Sequence, residues 1–146
     1  MTDHYRRDCT HVCAECDITD ACPEFEQAGD GVQPAPRRLR TYIAGPLNAP
    51  ACDYLQNVHR FVAADRFLRR AGLAPFNPSL DLITGICDGE FAYDHYFNAN
   101  FAWVEVAEAV YLIDESPGAN REVERALELG IPVFESLSEL VEWARR

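Results

Sequence analysis

The stretch AVYLIDESPGANREVERALELGIPVF, residues 109–134, carries the pattern on which the fold prediction rests. It opens with a continuous apolar run, which is typical of a strand buried on both faces of a sheet. Ser116 is a candidate N-cap with Pro117 at the first helical position, and Gly130 is placed to end the helix before a second apolar run. A strand, a helix and a strand joined by short connections predict parallel pairing through a right-handed crossover.

The same alternation extends toward the N-terminus. RTYIAG (40–45) is an apolar run ended by glycine, and LAPFNP (73–78) predicts a short strand stopped by proline. Between them a helix is predicted over roughly residues 53–71, with Asp53 as its N-cap. A second helix is predicted within YDHYFNANFAWVEVAEA (93–109). The apolar positions that indicate the first helix are Leu55, Val58, Phe61, Val62, Phe67 and Leu68.

Strands that alternate with helices predict an α/β fold of three layers, in which helices cover both faces of an open parallel sheet, flavodoxin-like or Rossmann-like. Residues 93–109 should form a largely buried helix with Trp103 in the core. The pattern does not choose between a loop and an irregular helix for residues 79–94. Ligands of such sheets bind beyond the carboxyl ends of the strands, so the loops after YIAG (42–45) and YLID (111–114) should face one site.

Composition excludes several classes of function. The formal net charge is -11, whereas a protein that binds nucleic acid needs a basic surface, so nucleic acid is not an expected partner. All 13 basic residues are arginine, which excludes chemistry on a lysine. The sequence contains neither a run of about 18 apolar residues nor the apolar core of a secretion signal. We therefore expect a cytoplasmic protein without a membrane partner.

Three segments are predicted along the chain. Residues 1–26 are polar, acidic and rich in cysteine, and residues 27–38 contain the Gly, Pro and Arg typical of a linker. Residues 39–146 are the predicted α/β domain, which is long enough for one core.

Four cysteines crowd the first segment with the spacing C-x3-C-x2-C-x5-C. In a reducing compartment such crowding indicates a metal site before it indicates disulfides. Zinc suits four thiolates, with His4 or His11 able to replace one of them, and the proline after the last cysteine is also typical of a four-iron iron–sulfur cluster. A disordered, reduced tail is the remaining alternative. The predicted ligands are Cys9, Cys13, Cys16 and Cys22.

Glu122 lies near the start of the helix predicted between Ser116 and Gly130. On a helical wheel it flanks an apolar stripe and therefore lies at the edge of the predicted cleft. The partial positive charge of the helix N-terminus would keep a first-turn carboxylate ionised and available as a nucleophile or base. Helix electrostatics alone also favours acidic residues there. The stripe consists of Ala119, Val123, Ala126 and Leu127.

Four blocks of the chain together resemble the nucleoside 2-deoxyribosyltransferase-like superfamily. They are TYIAGPL (41–47), FVAADRFLRRAGLAPFNP (61–78), YFNANFAWVEVAEAVYLI (96–113) and SPGANREVERALELGIPVF (116–134). The superfamily includes nucleoside deoxyribosyltransferases and nucleoside 5'-monophosphate N-glycosidases. The resemblance implies transfer or cleavage of an N-glycosidic bond, without a cofactor in that chemistry, by subunits that form a homodimer or a larger homo-oligomer.

The resemblance also implies roles for particular residues. The superfamily's nucleophile falls on Glu122, which would attack the anomeric carbon and form a glycosyl-enzyme, as a retaining glycosidase does. The glycine-bearing first loop falls on Ala44, Gly45 and Pro46, where a nucleotide would approach the backbone. Ser116 and Gly118 fall on the loop that lies near the phosphate in members that use monophosphates. A strand-ending turn and a simple N-cap are the alternatives for the two loops.

One departure from the superfamily's pattern concerns the acid that assists departure of the base. Many relatives have an aspartate in a pattern like Y-x-x-x-D, where this chain has Asn100, and an amide cannot donate a proton as a carboxylic acid does. Asp94 or another acid would have to replace it. The alternative function is a nucleotide-binding or sensing module that does not cut its ligand. Further candidates for binding, chosen because they flank strand ends, are Tyr42, Asn48, Asn98 and Asp114.

Overall fold

The structure is a computed structural model and describes residues 37–89 and 92–146. Within these residues four parallel strands form one sheet in the order β2-β1-β3-β4. The predicted segment 1–26 lies outside the described residues, so the division of the chain into 1–26, 27–38 and 39–146 stays a prediction. The strands are β1 (Arg40–Ala44), β2 (Ala74–Phe76), β3 (Ala109–Leu112) and β4 (Val133–Phe134).

Helices cover both faces of the sheet. On one face Ile43 of β1 packs with Phe61 and Leu68 of α1 and with Leu140 of α5. The opposite face carries Tyr42 and its neighbours, which pack with residues of α3 and α4. The predicted three-layer α/β fold is thereby confirmed. The helices are α1 (Ala51–Arg70), α2 (Asp81–Asp88), α3 (Tyr93–Val106), α4 (Pro117–Glu128) and α5 (Leu137–Ala144).

The strand order creates a crevice at the carboxyl end of the sheet. β1 pairs with β2 on one side, through Tyr42 and Phe76, and with β3 on the other, through Tyr42 and Val110. The chain therefore leaves β1 in one direction to reach β2 and crosses back to reach β3. In open α/β sheets ligands bind where the connections diverge in this way.

The predicted helix signals around α4 are confirmed. The Ser116 hydroxyl oxygen accepts a hydrogen bond from the Ala119 backbone N–H at 3.1 Å, and Pro117 is the first helical residue. Gly130 follows the helix with a φ of 72°, a left-handed conformation that glycine adopts without a steric cost. These local signals fix the position of the helix that carries Glu122.

The helix predicted over roughly residues 53–71 is confirmed as α1, but its predicted N-cap is wrong. The helix begins at Ala51 after Pro50, so Asp53 lies in its first turn and is not the N-cap. Its buried residues include Phe61 and Leu68, because residues seven positions apart, about two helical turns, lie on the same face of the helix. Of the other apolar positions that indicated this helix, Leu55 is 60%, Phe67 45% and Val62 36% exposed, because they lie off the buried stripe.

The prediction that α3 is largely buried is also wrong. Of its described residues Val104 is the one that is buried, and Trp103 is 49% exposed. Trp103 stacks on Phe76 with ring centroids 4.6 Å apart, so it covers the edge of the core without entering it. Apolar composition predicted burial, but a second face of α3 borders a cleft.

Residues 79–94, for which the sequence pattern left the conformation open, are mostly helical. A short 3-10 helix, Pro78–Leu80, leads directly into α2, and α3 begins at Tyr93. Within residues 37–89 and 92–146, no helix is both long enough and apolar enough to cross a membrane.

Candidate active site

A cleft of about 880 Å3 lies at the carboxyl ends of β1, β2 and β3. Its volume is in the range of pockets that bind small molecules. The loops after β1 and β3 both contribute to it, as the strand pattern predicts. Polar and small residues that line it include Gly45, Asn48, Asp81, Asn100, Ser116, Gly118 and Glu122.

Glu122 and Tyr42 form a hydrogen-bonded pair at this cleft. The Tyr42 hydroxyl donates to Glu122 Oε1 at 2.7 Å, and the two residues are 80 positions apart in the chain. Tyr42 is fully buried in β1, whereas Glu122 is 7% exposed and lines the cleft. A buried carboxylate normally requires such a donor. The pair therefore holds one carboxyl oxygen in a defined position next to a space that can accept a ligand.

Burial raises the pKa of Glu122 from its ordinary value of 4.5 to about 7, because the charged carboxylate loses hydration. The hydrogen bond from Tyr42 acts in the opposite direction and lowers this pKa. Burial also raises the pKa of Tyr42 well above its ordinary value, with a further rise from the adjacent Glu122. Near neutral pH both protonation states of Glu122 are therefore populated.

The environment of Glu122 differs from the prediction. α4 begins at Pro117, so Glu122 lies in its second turn, and it shares the buried face with Ala119 and Ala126. The expectation of a first-turn carboxylate is therefore wrong, and burial raises the pKa of Glu122. Helical position alone did not reveal the donor that binds Glu122, because Tyr42 lies in β1, 80 residues away in the chain.

One face of α3 forms an aromatic wall of the cleft. Tyr93, Phe97 and Asn100 line it at helical spacing, together with Tyr96. The rings of Tyr93 and Phe97 stack with centroids 6.0 Å apart. The Arg121 guanidinium lies 3.9 Å from the centroid of Phe97, which is the geometry of a cation–π contact. This wall offers flat apolar surface beside the amide of Asn100.

The two predicted loops have different reasons for their glycines. A Cβ on Gly45 would lie 3.1 Å from the Phe61 ring and 3.2 Å from Cβ of Ile113, so packing beneath the loop explains this glycine. Among the residues that the structure describes, a Cβ on Gly118 would meet the Tyr93 hydroxyl alone, at 3.4 Å, on the side of the cleft. Ser116 lines the cleft and caps α4 at the same time.

Several predicted site residues are not among the described residues that line the cleft. Ala44 is fully buried beneath it. Asp94 and Asn98 are exposed on α3, because they lie on the face that turns away from the lining residues. Asp114 is exposed and pairs with Arg60 at 3.3 Å. Pro46 is partly exposed beside lining residues without lining the cleft itself.

Asp81 is a cleft residue that the sequence reasoning missed. It is the first residue of α2 and is partly buried. Burial raises the pKa of its carboxyl above the ordinary value. The relevant signal was its place a few residues after the predicted strand LAPFNP, which is the same argument that selected the loops after β1 and β3.

The predicted metal ligands, Cys9, Cys13, Cys16 and Cys22, lie outside the described residues. In the part of the chain that the structure describes, no group of three or more His, Cys, Asp or Glu side chains could hold a metal ion. The described cysteines, Cys52 and Cys87, are exposed free thiols.

Comparison with known proteins gives a family and a fold. A family model described as a domain of unknown function (DUF4406) matches residues 39–135. A solved structure described as a 2-deoxyribosyltransferase from the psychrotolerant bacterium Bacillus psychrosaccharolyticus matches with a TM-score of 0.50 and 22% identity. The match covers 64% of this chain and 69% of that chain. No curated protein matches. The chain therefore belongs to the DUF4406 family, and the likeness to the solved structure shows a shared fold.

Proposed function

Because the chain belongs to the DUF4406 family and has the fold of a 2-deoxyribosyltransferase, we propose that it cleaves or transfers the N-glycosidic bond of a nucleoside or its 5'-monophosphate. The observation that carries this proposal is Glu122, a carboxyl that lines the cleft and accepts a hydrogen bond from Tyr42. It is also the residue on which the superfamily's nucleophile falls.

In this reaction a Glu122 carboxylate oxygen attacks the anomeric carbon of the sugar. The bond between that carbon and the base nitrogen breaks, and its electron pair stays with the base. Water, or a second base, then attacks the same carbon and releases the carboxylate. Tyr42 occupies Oε1, so Oε2 is the oxygen assigned to the attack. Only the ionised form can attack, and with a pKa of about 7 that form is a part of the population near neutral pH.

The other walls of the cleft offer groups that suit the base and the 5'-phosphate of a nucleotide. The aromatic face of α3 offers Phe97 and Tyr93 for stacking against a base, and the amide of Asn100 can hydrogen-bond it. The Ser116 hydroxyl and the N-terminus of α4 offer donors for a 5'-phosphate. Hydrolysis and transfer differ only in whether water or a base enters after the first product leaves.

Asn100 favours a second candidate, a module that binds a nucleotide without cutting it. It lines the cleft at the position where relatives with the Y-x-x-x-D pattern have an acid. A base held by an amide, with no proton donor, would bind and remain attached to its sugar.

The decisive experiment measures free base by chromatography after incubation with a panel of nucleosides and 5'-monophosphates, with and without an acceptor base. We expect release by the wild type and a loss of about three orders of magnitude or more in Glu122→Gln. Glu124→Gln, an exposed glutamate of the same helix, is the matched control and should retain activity. Nucleotide binding without release from any substrate would support the binding module instead.

The covalent step has its own test. A nucleoside with fluorine at position 2 of its sugar slows both displacements, because fluorine destabilises the positive charge that develops on the sugar. A good leaving base restores the rate of the first displacement. We expect intact-protein mass spectrometry to detect a glycosyl adduct on Glu122. Base release with no adduct under these conditions would indicate direct attack by water.

We also propose that the protein forms at least a homodimer, as the superfamily resemblance implies. Among the described residues, Trp103, Val106 and Leu127 are large apolar side chains that are 44% exposed or more, and such surface is available for subunit contacts. Sedimentation equilibrium of the full chain measures the state directly, and a monomer at assay concentration would contradict the expectation.

A further inference from the structure

The acid that assists departure of the base is unassigned among the residues that the superfamily pattern selects. Asn100 lines the cleft but has no acidic proton, and Asp94 is exposed on α3 and does not line it. A departing nucleobase that carries an extra electron pair is a poor leaving group unless a proton or a strong hydrogen bond neutralises it. The proposed reaction therefore needs a donor on another wall of the cleft.

Two carboxyl groups of the described residues line the cleft, and they come from different sides of it. Glu122 comes from α4, whereas Asp81 is the first residue of α2, beyond the carboxyl end of β2. Asp81 also contributes, as the smallest of four causes, to the raised pKa of Tyr42. The two carboxyls thus share one chamber without an ion pair or hydrogen bond between them among the described contacts.

Local structure holds Asp81 in its place. Asn77 Oδ1 accepts hydrogen bonds from the Ser79 backbone N–H at 3.0 Å and from the Ser79 hydroxyl at 2.7 Å. Asn77 and Ser79 are both buried. This capped turn continues from β2 into the 3-10 helix and fixes where α2 begins.

From this placement we infer that Asp81 is the acid of the proposed glycosidic reaction: it donates a proton to the departing nucleobase and later recovers one. The inference rests on the proposed function. In the first displacement Glu122 forms a bond to the anomeric carbon, the base nitrogen takes the bonding pair, and the Asp81 proton moves to a basic atom of the base. In the second displacement ionised Asp81 takes the proton of the attacking water or acceptor base.

Burial acts on both carboxyls of the cleft, whereas a hydrogen bond from Tyr42 acts on Glu122. Burial raises the pKa of Asp81, which increases the fraction that carries a proton to donate. Glu122 has the hydroxyl of Tyr42 as a donor, which favours its ionised form against burial. Because burial raises both pKa values, the assignment of Asp81 as the acid rests on its position on another wall of the cleft.

The test compares substrates that need a proton with substrates that do not. An N7-methylated purine nucleoside leaves as a neutral base without protonation, and a 5-nitropyrimidine leaves as a stabilised anion. Whichever base class the wild type accepts, we expect Asp81→Asn to lower kcat/KM on the ordinary nucleoside by about 10²–10⁴-fold. On the activated counterpart, after subtraction of spontaneous release, the loss should be less than about tenfold.

Controls separate the outcomes. Asp88→Asn, an exposed aspartate of the same helix, should retain activity on both substrates. Thermal unfolding verifies that Asp81→Asn is folded, and Asp81→Ser is a second variant without the acid. Equal losses on both substrates, or no loss on either, would overturn the role of Asp81 and leave the glycosidic activity standing. Absence of base release by the wild type would instead overturn the proposed function itself.

Discussion

At the scale of single residues, the burial of Glu122 beside Tyr42 costs free energy. The carboxyl is 7% exposed and its pKa is raised to about 7, so folding disfavours its charged form. The Tyr42 hydroxyl at 2.7 Å offsets part of that cost. A group that is expensive to bury and still lies at a cleft is a frequent mark of a functional site.

The cost predicts a pH-dependent effect of Glu122→Gln on stability. A carboxyl with a pKa of 4.5 unfolded and about 7 folded binds more protons in the folded state between these values, so the free energy of unfolding falls as pH rises through that window. We expect Glu122→Gln to exceed the wild type by up to about 3 kcal/mol above pH 7, and by little below pH 4.5. Denaturant titrations measure this, with Glu124→Gln as the exposed control; parallel curves would contradict it.

Tyr42→Phe tests the other half of the pair. Loss of the hydroxyl removes the hydrogen bond that lowers the pKa of Glu122, so this pKa should rise. If Glu122 attacks as a carboxylate, the pH at which kcat/KM reaches half its maximum should move upward. Tyr111→Phe is the control, because Tyr111 packs against the opposite face of the sheet. An unchanged midpoint in Tyr42→Phe would argue against Glu122 as the titrating group.

At the scale of elements, α4 and the loop after β1 position the cleft through short-range chemistry and close packing. Ser116 caps α4 and Gly130 ends it, so the position of Glu122 along the helix is defined. Beneath the loop after β1, Gly45 lies against Phe61 of α1 and Ile113 after β3. The loops after β1 and β3 can therefore pack closely together, because Gly45 has no side chain between them.

Gly45→Ala and Gly118→Ala should therefore differ. A Cβ at 3.1 Å from the Phe61 ring must displace a fully buried side chain, and we expect a loss of about 1–3 kcal/mol in the free energy of unfolding. Gly118 lies in the first turn of α4, where alanine favours the helix, and its nearest neighbour would be at 3.4 Å. Chemical denaturation of both variants tests this, and similar losses would show that the loop after β1 relaxes easily.

At the scale of the whole molecule, the α/β domain and the cysteine segment differ in what could stabilise a fold. Both core clusters of the described residues, including their partly buried members, draw on residues between Leu39 and Ala144. A segment of 26 residues is too short to form a core of its own, which is why bound metal is the expected source of its order.

We predict that the purified protein binds zinc or an iron–sulfur cluster at Cys9, Cys13, Cys16 and Cys22. Elemental analysis and visible absorption distinguish the two metals. Serine at these four positions should remove the metal, whereas serine at Cys52 and Cys87, the exposed thiols of the α/β domain, should leave it bound. Metal-free protein, prepared under reducing and anaerobic conditions, would favour the reduced tail.

The sequence by itself determined the order of strands and helices, the parallel sheet and the ends of α4. These depend on apolar periodicity, capping and glycine conformation, which act over a few residues. It also selected Glu122, through position and resemblance. The sequence misjudged the burial of α3, because apolar composition does not distinguish a helix in the core from one that borders a cleft.

Only the tertiary structure decided the environment of the site. Tyr42 meets Glu122 across 80 residues, Asp81 enters the same cleft from α2, and Asp94 and Asn98 turn away from it. Burial, rather than helix position, sets the pKa of Glu122. Each of these properties is a sum over neighbours that are distant in the chain, and long-range packing brings those neighbours together in a way that no local pattern encodes.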